Sequence, residues 1–171
     1  LFTGSHSSGG EVGHMIHIPD GALCRCGRRG CIEAYAGNYA IFRHARGESE
    51  RAPPAADIDD ATMLALAAAA RDHPGREREA FHKAGEAIGF GLGSLFALID
   101  PAPVAIVGLG TSAFDVIKPA MLSAISRTAG GQHNAALSFD LEPDEAPLIR
   151  EGCATQALTF VDQEIFAVGP A

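Results

Sequence analysis

The sequence has no run of about 18 apolar residues, so a bilayer-spanning helix is not expected. Excess positive charge is also missing. Thirteen Lys and Arg stand against 21 Asp and Glu, for a net charge of −8 at pH 7 and a pI near 5.3. An acidic surface repels phosphate backbones, so this stretch by itself is a poor candidate for binding DNA or RNA. Leu1-Phe2-Thr3-Gly4 shows neither a basic nor an apolar segment, so no signal peptide is expected there. An initiating Met is absent too, and the expectation is a chain that starts partway through a longer protein. No repeat with a period of 20–50 residues occurs, which argues against a solenoid.

The remaining composition is ordinary for a folded domain. Hydrophobic residues make up 47% and charged residues 20% of 171, which argues against disorder. A chain of this size is one domain, or a large piece of one, and buries about two thirds of its unfolded surface.

Cysteine is scarce and unevenly placed. Three of the four fall between Cys24 and Cys31, with Cys26 between them. A disulfide scaffold would spread its cysteines along the chain. Clustered thiols in a leaderless acidic chain point instead to a reducing cytoplasm and a metal. Cys153 stands alone and is expected to be a buried, inert thiol.

Hydrophobic spacing gives the elements. Met15 to Ile18 is the candidate first strand, and Pro19-Asp20-Gly21 a turn. Residues 33–46 read as a helix with Tyr35, Tyr39, Phe42 and Ala45 on one face. Asp57 is the expected N-cap of a helix running to Arg71, stopped by His73-Pro74-Gly75. A long helix is predicted over 76–99. Its Gly85, Gly89, Gly91 and Gly93 each cost up to about 1 kcal/mol of helix propensity, so a close neighbour is expected there. Val104 to Val107 reads as a buried parallel strand, and Gly108-Leu109-Gly110-Thr111 as a tight turn. A helix over 115–129, a strand over 136–141 and a closing helix over 151–166 complete an α/β fold, helices flanking a largely parallel sheet. The sheet is short of strands for its helices.

The spacing His14-x9-Cys24-x-Cys26-x4-Cys31 carries the chemistry. Three thiolates and an imidazole are the ligand set of a closed tetrahedral zinc site. Soft sulfur with nitrogen favours zinc over magnesium or calcium. Four protein ligands leave no open position, so the expected zinc is structural rather than catalytic. Gly27 and Gly30 let the backbone curl so that Cys31 returns to the metal. His6 and His17 are rival imidazoles. His44, His73, His82 and His133 have no partners at ligand spacing.

These residues resemble a known family. Gly10-Glu11-Val12-Gly13-His14-Met15, followed by Cys24-Arg25-Cys26-Gly27-Arg28-Arg29-Gly30-Cys31-Ile32-Glu33, resemble the signature of the ROK family (repressors, open reading frames and sugar kinases). The resemblance implies an actin-like/ribonuclease-H-like α/β lobe with a zinc-binding loop over 14–33, without the family's N-terminal strands and lobe. Residues 1–171 would be the C-terminal sugar-binding and nucleotide-side lobe. His14, Cys24, Cys26 and Cys31 would hold zinc, and Glu11, His14 and Glu33 would contact a monosaccharide or amino sugar. Gly108, Gly110 and Thr111 mark the turn where a nucleotide would approach. ATP and Mg2+ would be needed only by a kinase. A homo-oligomer is implied as well, and DNA contact only through a separate upstream domain.

Two family features are missing here: the Asp-x-Gly-x-Thr phosphate loop, and the Asn-Asp pair whose Asp serves as general base. The family's kinases usually carry three glycines at the nucleotide-side turn, where Leu109 stands in the middle. Two functions follow as expectations: the sugar-sensing effector part of a transcriptional regulator, or the C-terminal part of an ATP-dependent sugar kinase.

Overall fold

Every helix of the first hundred residues packs onto one long helix, α4. The computed structural model describes residues 4–6, 9–131 and 137–165. The elements are α1 (Glu33–Ala36), α2 (Asn38–Ala45), α3 (Asp60–Asp72), α4 (Arg76–Ile99), β1 (Val104–Val107), α5 (Phe114–Ser126), β2 (Phe139–Glu142) and α6 (Glu145–Phe160). Among the described residues no helix is long and apolar enough to cross a membrane.

The expected helix over 33–46 is two helices. Gly37 takes an extended ψ of 152° and breaks the ladder, and its carbonyl restarts α2 by accepting from Ala40 and Ile41. The cap of α3 is Asp59 rather than Asp57. Its carboxylate accepts from the Thr62 backbone N–H at 2.8 Å and the Thr62 hydroxyl at 3.0 Å, satisfying an otherwise orphaned donor. Asp57 pairs instead with Arg25, at 3.1 Å.

The glycines of α4 do face a close neighbour. A Cβ on Gly85 or Gly89 would run into the backbone oxygens of Ile117 and Met121 on α5. The two helices therefore meet nearly backbone to backbone. Around this contact Phe81, Ala84, Met121 and Ile125 form the centre of the main core, with Ile41, Met63 and Ala67 closing it from α2 and α3.

β1 and β2 pair in parallel, Val104 opposite Phe139 and Val107 opposite Glu142. The expected burial of β1 is only half met. Ile106 and Phe139 face the core. Val107 points to the opposite face and is exposed, and Leu141, on the same face as Phe139, is exposed as well. Among the described residues each strand has a single partner. The turn after β1 continues as a 3-10 helix, Gly108–Ala113, before α5 begins. The last helix starts six residues earlier than its pattern indicated, at Glu145, and buries none of its residues. Cys153 on α6 is consequently exposed, contrary to expectation. Residue 136 of the predicted strand, His133 and residue 166 lie outside the described residues.

Replacing Gly89 by Val forces a branched side chain into the α4–α5 contact. Overpacking of this kind typically costs about 1–3 kcal/mol. A urea titration is expected to show that loss, and an unchanged midpoint would refute the close-contact reading.

Candidate functional site

The loop ahead of α1 is held by backbone chemistry rather than by a sheet. The strand expected at Met15–Ile18 reduces to one antiparallel bridge, Ile16 with Cys31, and a second bridge joins Leu23 to Arg29. The N–H groups of His17 and Ile18 both turn to the Gly30 carbonyl, at 2.7 and 3.1 Å, so the ladder stops there. Gly30 sits at φ +81°, and a Cβ on it would overlap the Ile18 carbonyl oxygen. Only glycine fits that corner. The Cys24 carbonyl accepts from Gly27 and its N–H donates to Arg28, which folds Cys26 back beside Cys24.

This fold gathers His14, Cys24, Cys26 and Cys31. Their donor atoms all lie within 4.8 Å of one another, and the group could hold a metal ion. Thiolate–metal bonds of about 2.3 Å at a tetrahedral angle separate two sulfurs by about 3.8 Å. The Cys26 and Cys31 sulfurs stand 3.7 Å apart, and Cys24 Sγ is 3.9 Å from His14 Nδ1. The donor set therefore fits a cation of that geometry. Cys24 and Cys31 are buried, with Ala22, Ile32, Ala34 and Tyr35 forming a small second core against Ala87 of α4. Burial and the neighbouring Cys26 and Cys24 thiols push the Cys31 thiol up to about 12. The Arg28 backbone N–H draws the exposed Cys26 thiol down. Burial, then the adjacent Cys24, raises the Tyr39 hydroxyl.

Of the rival imidazoles, His17 is not in the cluster. It lies between the rings of Tyr35 and Phe90, at 5.2 and 5.5 Å, and burial lowers its pKa. His44 is also absent from the cluster and packs against Tyr35.

Glu11 and Glu33 meet at the same imidazole. Glu11 Oε2 is 3.7 Å from His14 Nε2, and Glu33 Oε2 is 3.5 Å from Nδ1. His14 and Glu33 are about one-third exposed, so one side of the group opens outward. A groove of about 320 Å³ runs beside Glu33, between Val12, Gly13, Ile32 and Leu92. It shares Ala36 and Ile88 with an apolar cavity of about 120 Å³ that reaches Leu109 and Gly110 after β1.

The structure thus joins His14, Glu11 and Glu33 to the three cysteines, and places Gly108, Gly110 and Thr111 apart from them on the turn after β1. Leu109 packs toward the core, so it does not crowd the outer face of that turn. The Glu145 carboxylate does: it lies against Gly108, which has a φ of +71°. The Thr111 hydroxyl donates to the Gly108 carbonyl at 2.8 Å.

Sequence reasoning missed Tyr39 and Arg43. The Tyr39 hydroxyl donates to Cys24 Sγ at 3.6 Å, and Arg43 lies beneath the loop, only 2% exposed. The available signal was an Arg four residues after a Tyr on an apolar helix face.

Comparisons with known proteins bear on the family and the fold. The ROK family model matches residues 1–146. The DNA-binding transcriptional dual regulator NagC of Escherichia coli K12 is 31% identical over 134 residues, which are 75% of this chain and 32% of that protein. The glucokinase of Streptomyces coelicolor is 32% identical over 111 residues, 60% of this chain and 35% of that enzyme. The chain spans about a third of the length of these curated relatives. Among solved structures, a ROK family transcriptional regulator described as a homolog of E. coli MLC superposes with a TM-score of 0.66. It shares 23% identity, covering 82% of this chain and 36% of that one, and this likeness shows the fold.

Metal uptake at the four donors must displace thiol protons, Cys31 foremost. Affinity is therefore expected to rise with pH between about 6 and 8, as read by chelator competition. Cys26→Ala is expected to abolish the metal-dependent gain in Tm. A variant that melts like the parent, with chelator changing neither, would defeat the metal assignment.

Proposed function

The chain belongs to the ROK family, and on that premise we propose that it is a zinc-stabilised, sugar-binding effector part of a transcriptional regulator. His14, Cys24, Cys26 and Cys31 would hold zinc, since a closed set of three thiolates and one imidazole suits that ion. The zinc is structural. Its contribution is to fix the loop, because four protein ligands leave no site for a bound water.

Glu11 and Glu33 then act as acceptors for the hydroxyls of a monosaccharide or amino sugar. His14 binds the metal through one ring nitrogen and presents the other toward the ligand, so the metal fixes its tautomer and direction. Glu33 follows Cys31 by two residues and opens α1, which transmits the order of the loop to the carboxylate. DNA contact would fall to a separate module, in keeping with the acidic charge of this chain.

One observation carries the choice of regulator over kinase. The Glu145 carboxylate lies against Gly108, where a nucleotide would approach. A negative charge there repels phosphates. The similarity to NagC, which extends over more of the chain than the glucokinase match, supports the same choice. The alternative, the C-terminal part of an ATP- and Mg2+-dependent sugar kinase, draws on the glucokinase similarity and on the groove and cavity being neighbours that share Ala36 and Ile88.

Calorimetric titration with N-acetylglucosamine and glucose tests the proposal. Hydrogen bonds to a charged group contribute about 1.5–3 kcal/mol, so Glu33→Gln is expected to weaken binding at least about tenfold with little change in Tm. Unchanged affinity would remove Glu33 from the site. Mg·ATP is expected not to bind, and saturable binding at the 108–113 turn would favour the kinase.

A further inference from the structure

Arg43 is the single buried charged residue among the described residues, and it has no carboxylate partner there. Its Nη1 donates to the Leu23 carbonyl at 3.2 Å and its Nη2 to the Ala34 carbonyl at 2.8 Å. Its Nε–H is buried and finds no acceptor among the described residues. A guanidinium removed from water without a counter-charge is strongly disfavoured.

On the zinc reading, the loop that Arg43 grips would supply the negative charge. Leu23 immediately precedes Cys24, and Ala34 follows Cys31 by three residues, so the two Arg43 donors grip the chain on both sides of all three cysteines. The Arg43 guanidinium carbon lies 5.9 Å from the centre of the Tyr39 ring, whose hydroxyl donates to Cys24 Sγ. Three thiolates around one divalent ion would carry a net charge of −1; Arg28 and Arg25 are exposed cations beside the loop, and Arg43 is the buried one.

We infer that Arg43 is a positioning residue of the metal centre: its fork sets the span of the cysteine loop, and its charge balances the thiolates of the loaded site. The inference rests on the zinc reading above. It also explains why an arginine occupies the buried face of α2, where an apolar residue would serve packing alone. Partners that bond a metal ligand directly commonly alter metal affinity about 10–100-fold when removed; Arg43 acts one step further out, on the carbonyls of Leu23 and Ala34.

The test uses the whole chain, stripped of metal and titrated with zinc against a chelator, then with cobalt as a spectroscopic substitute. Arg43→Gln is expected to lower zinc affinity by about tenfold, the low end for partners that bond a ligand directly. It should also move the thiolate-to-cobalt charge-transfer band to lower energy, because the sulfur lone pairs lose a stabilising cation. Arg43→Lys should restore the band energy of the parent, which rescue of packing alone would not do. Parental affinity and band position in Arg43→Gln would overturn the inference. Should Arg43→Gln fail to fold, the lysine variant decides: a parental band supports the charge role, and a shifted band refutes it. Failure of the zinc reading itself shows up separately, as an unsubstituted chain that takes up no metal.

Discussion

Three sulfurs and an imidazole confined within 4.8 Å oppose one another as soon as the thiols ionise. A cation at their centre would turn that mutual repulsion into attraction, and on the proposed assignment the rest of the loop depends on that exchange. The segment from Glu11 to Cys31 has almost no regular structure, two isolated bridges, and a small apolar core of its own. Burial of Ala22, Ile32 and Tyr35 alone is a modest hydrophobic gain for so many ordered residues. Corner residues such as Gly30, and donors such as the Tyr35-bound N–H of Ala22 at 2.9 Å, shape the loop without closing it.

Behind the loop stands a stiffer body. Helix α4 has small residues on the faces that meet its neighbours, and α5 seats on Gly85 and Gly89 while Ile32 reaches down to Gly91. The cost in helix propensity is recovered as close packing between backbones. One helix therefore touches both the main core and the cysteine loop, which places the donors on a rigid support. The opposite end of the chain is built differently. There α6 buries nothing, and β1 and β2 cover only one face.

Much of this was legible in the residues. The span of α4 follows its apolar spacing, and its glycines announced a close neighbour. The clustering of His14, Cys24, Cys26 and Cys31 was readable because ligand chemistry restricts both residue type and spacing. Where local and tertiary effects compete, the reading failed. Gly37 could be a tolerated helix glycine or a break, and only its ψ of 152° decides between them. Asp57 and Asp59 are equally good caps by type. Arg25 claims the first across the loop, a contact between residues 32 apart that no local pattern encodes. Cys153 looked like a small core hydrophobe, but among the described residues nothing packs over α6. Arg43 escaped notice because a charge on an apolar stripe becomes meaningful only when the carbonyls it grips are known.

The two-residue step from Cys31 to Glu33 has a thermodynamic consequence. A carboxylate positioned by a metal loop is a carboxylate whose ligand also senses the metal. Coupling free energies are reciprocal: whatever factor the bound ion contributes to sugar affinity, bound sugar must return to ion affinity. On the proposed assignment, the chain integrates two concentrations instead of measuring one. Metal scarcity would then be read downstream as sugar scarcity.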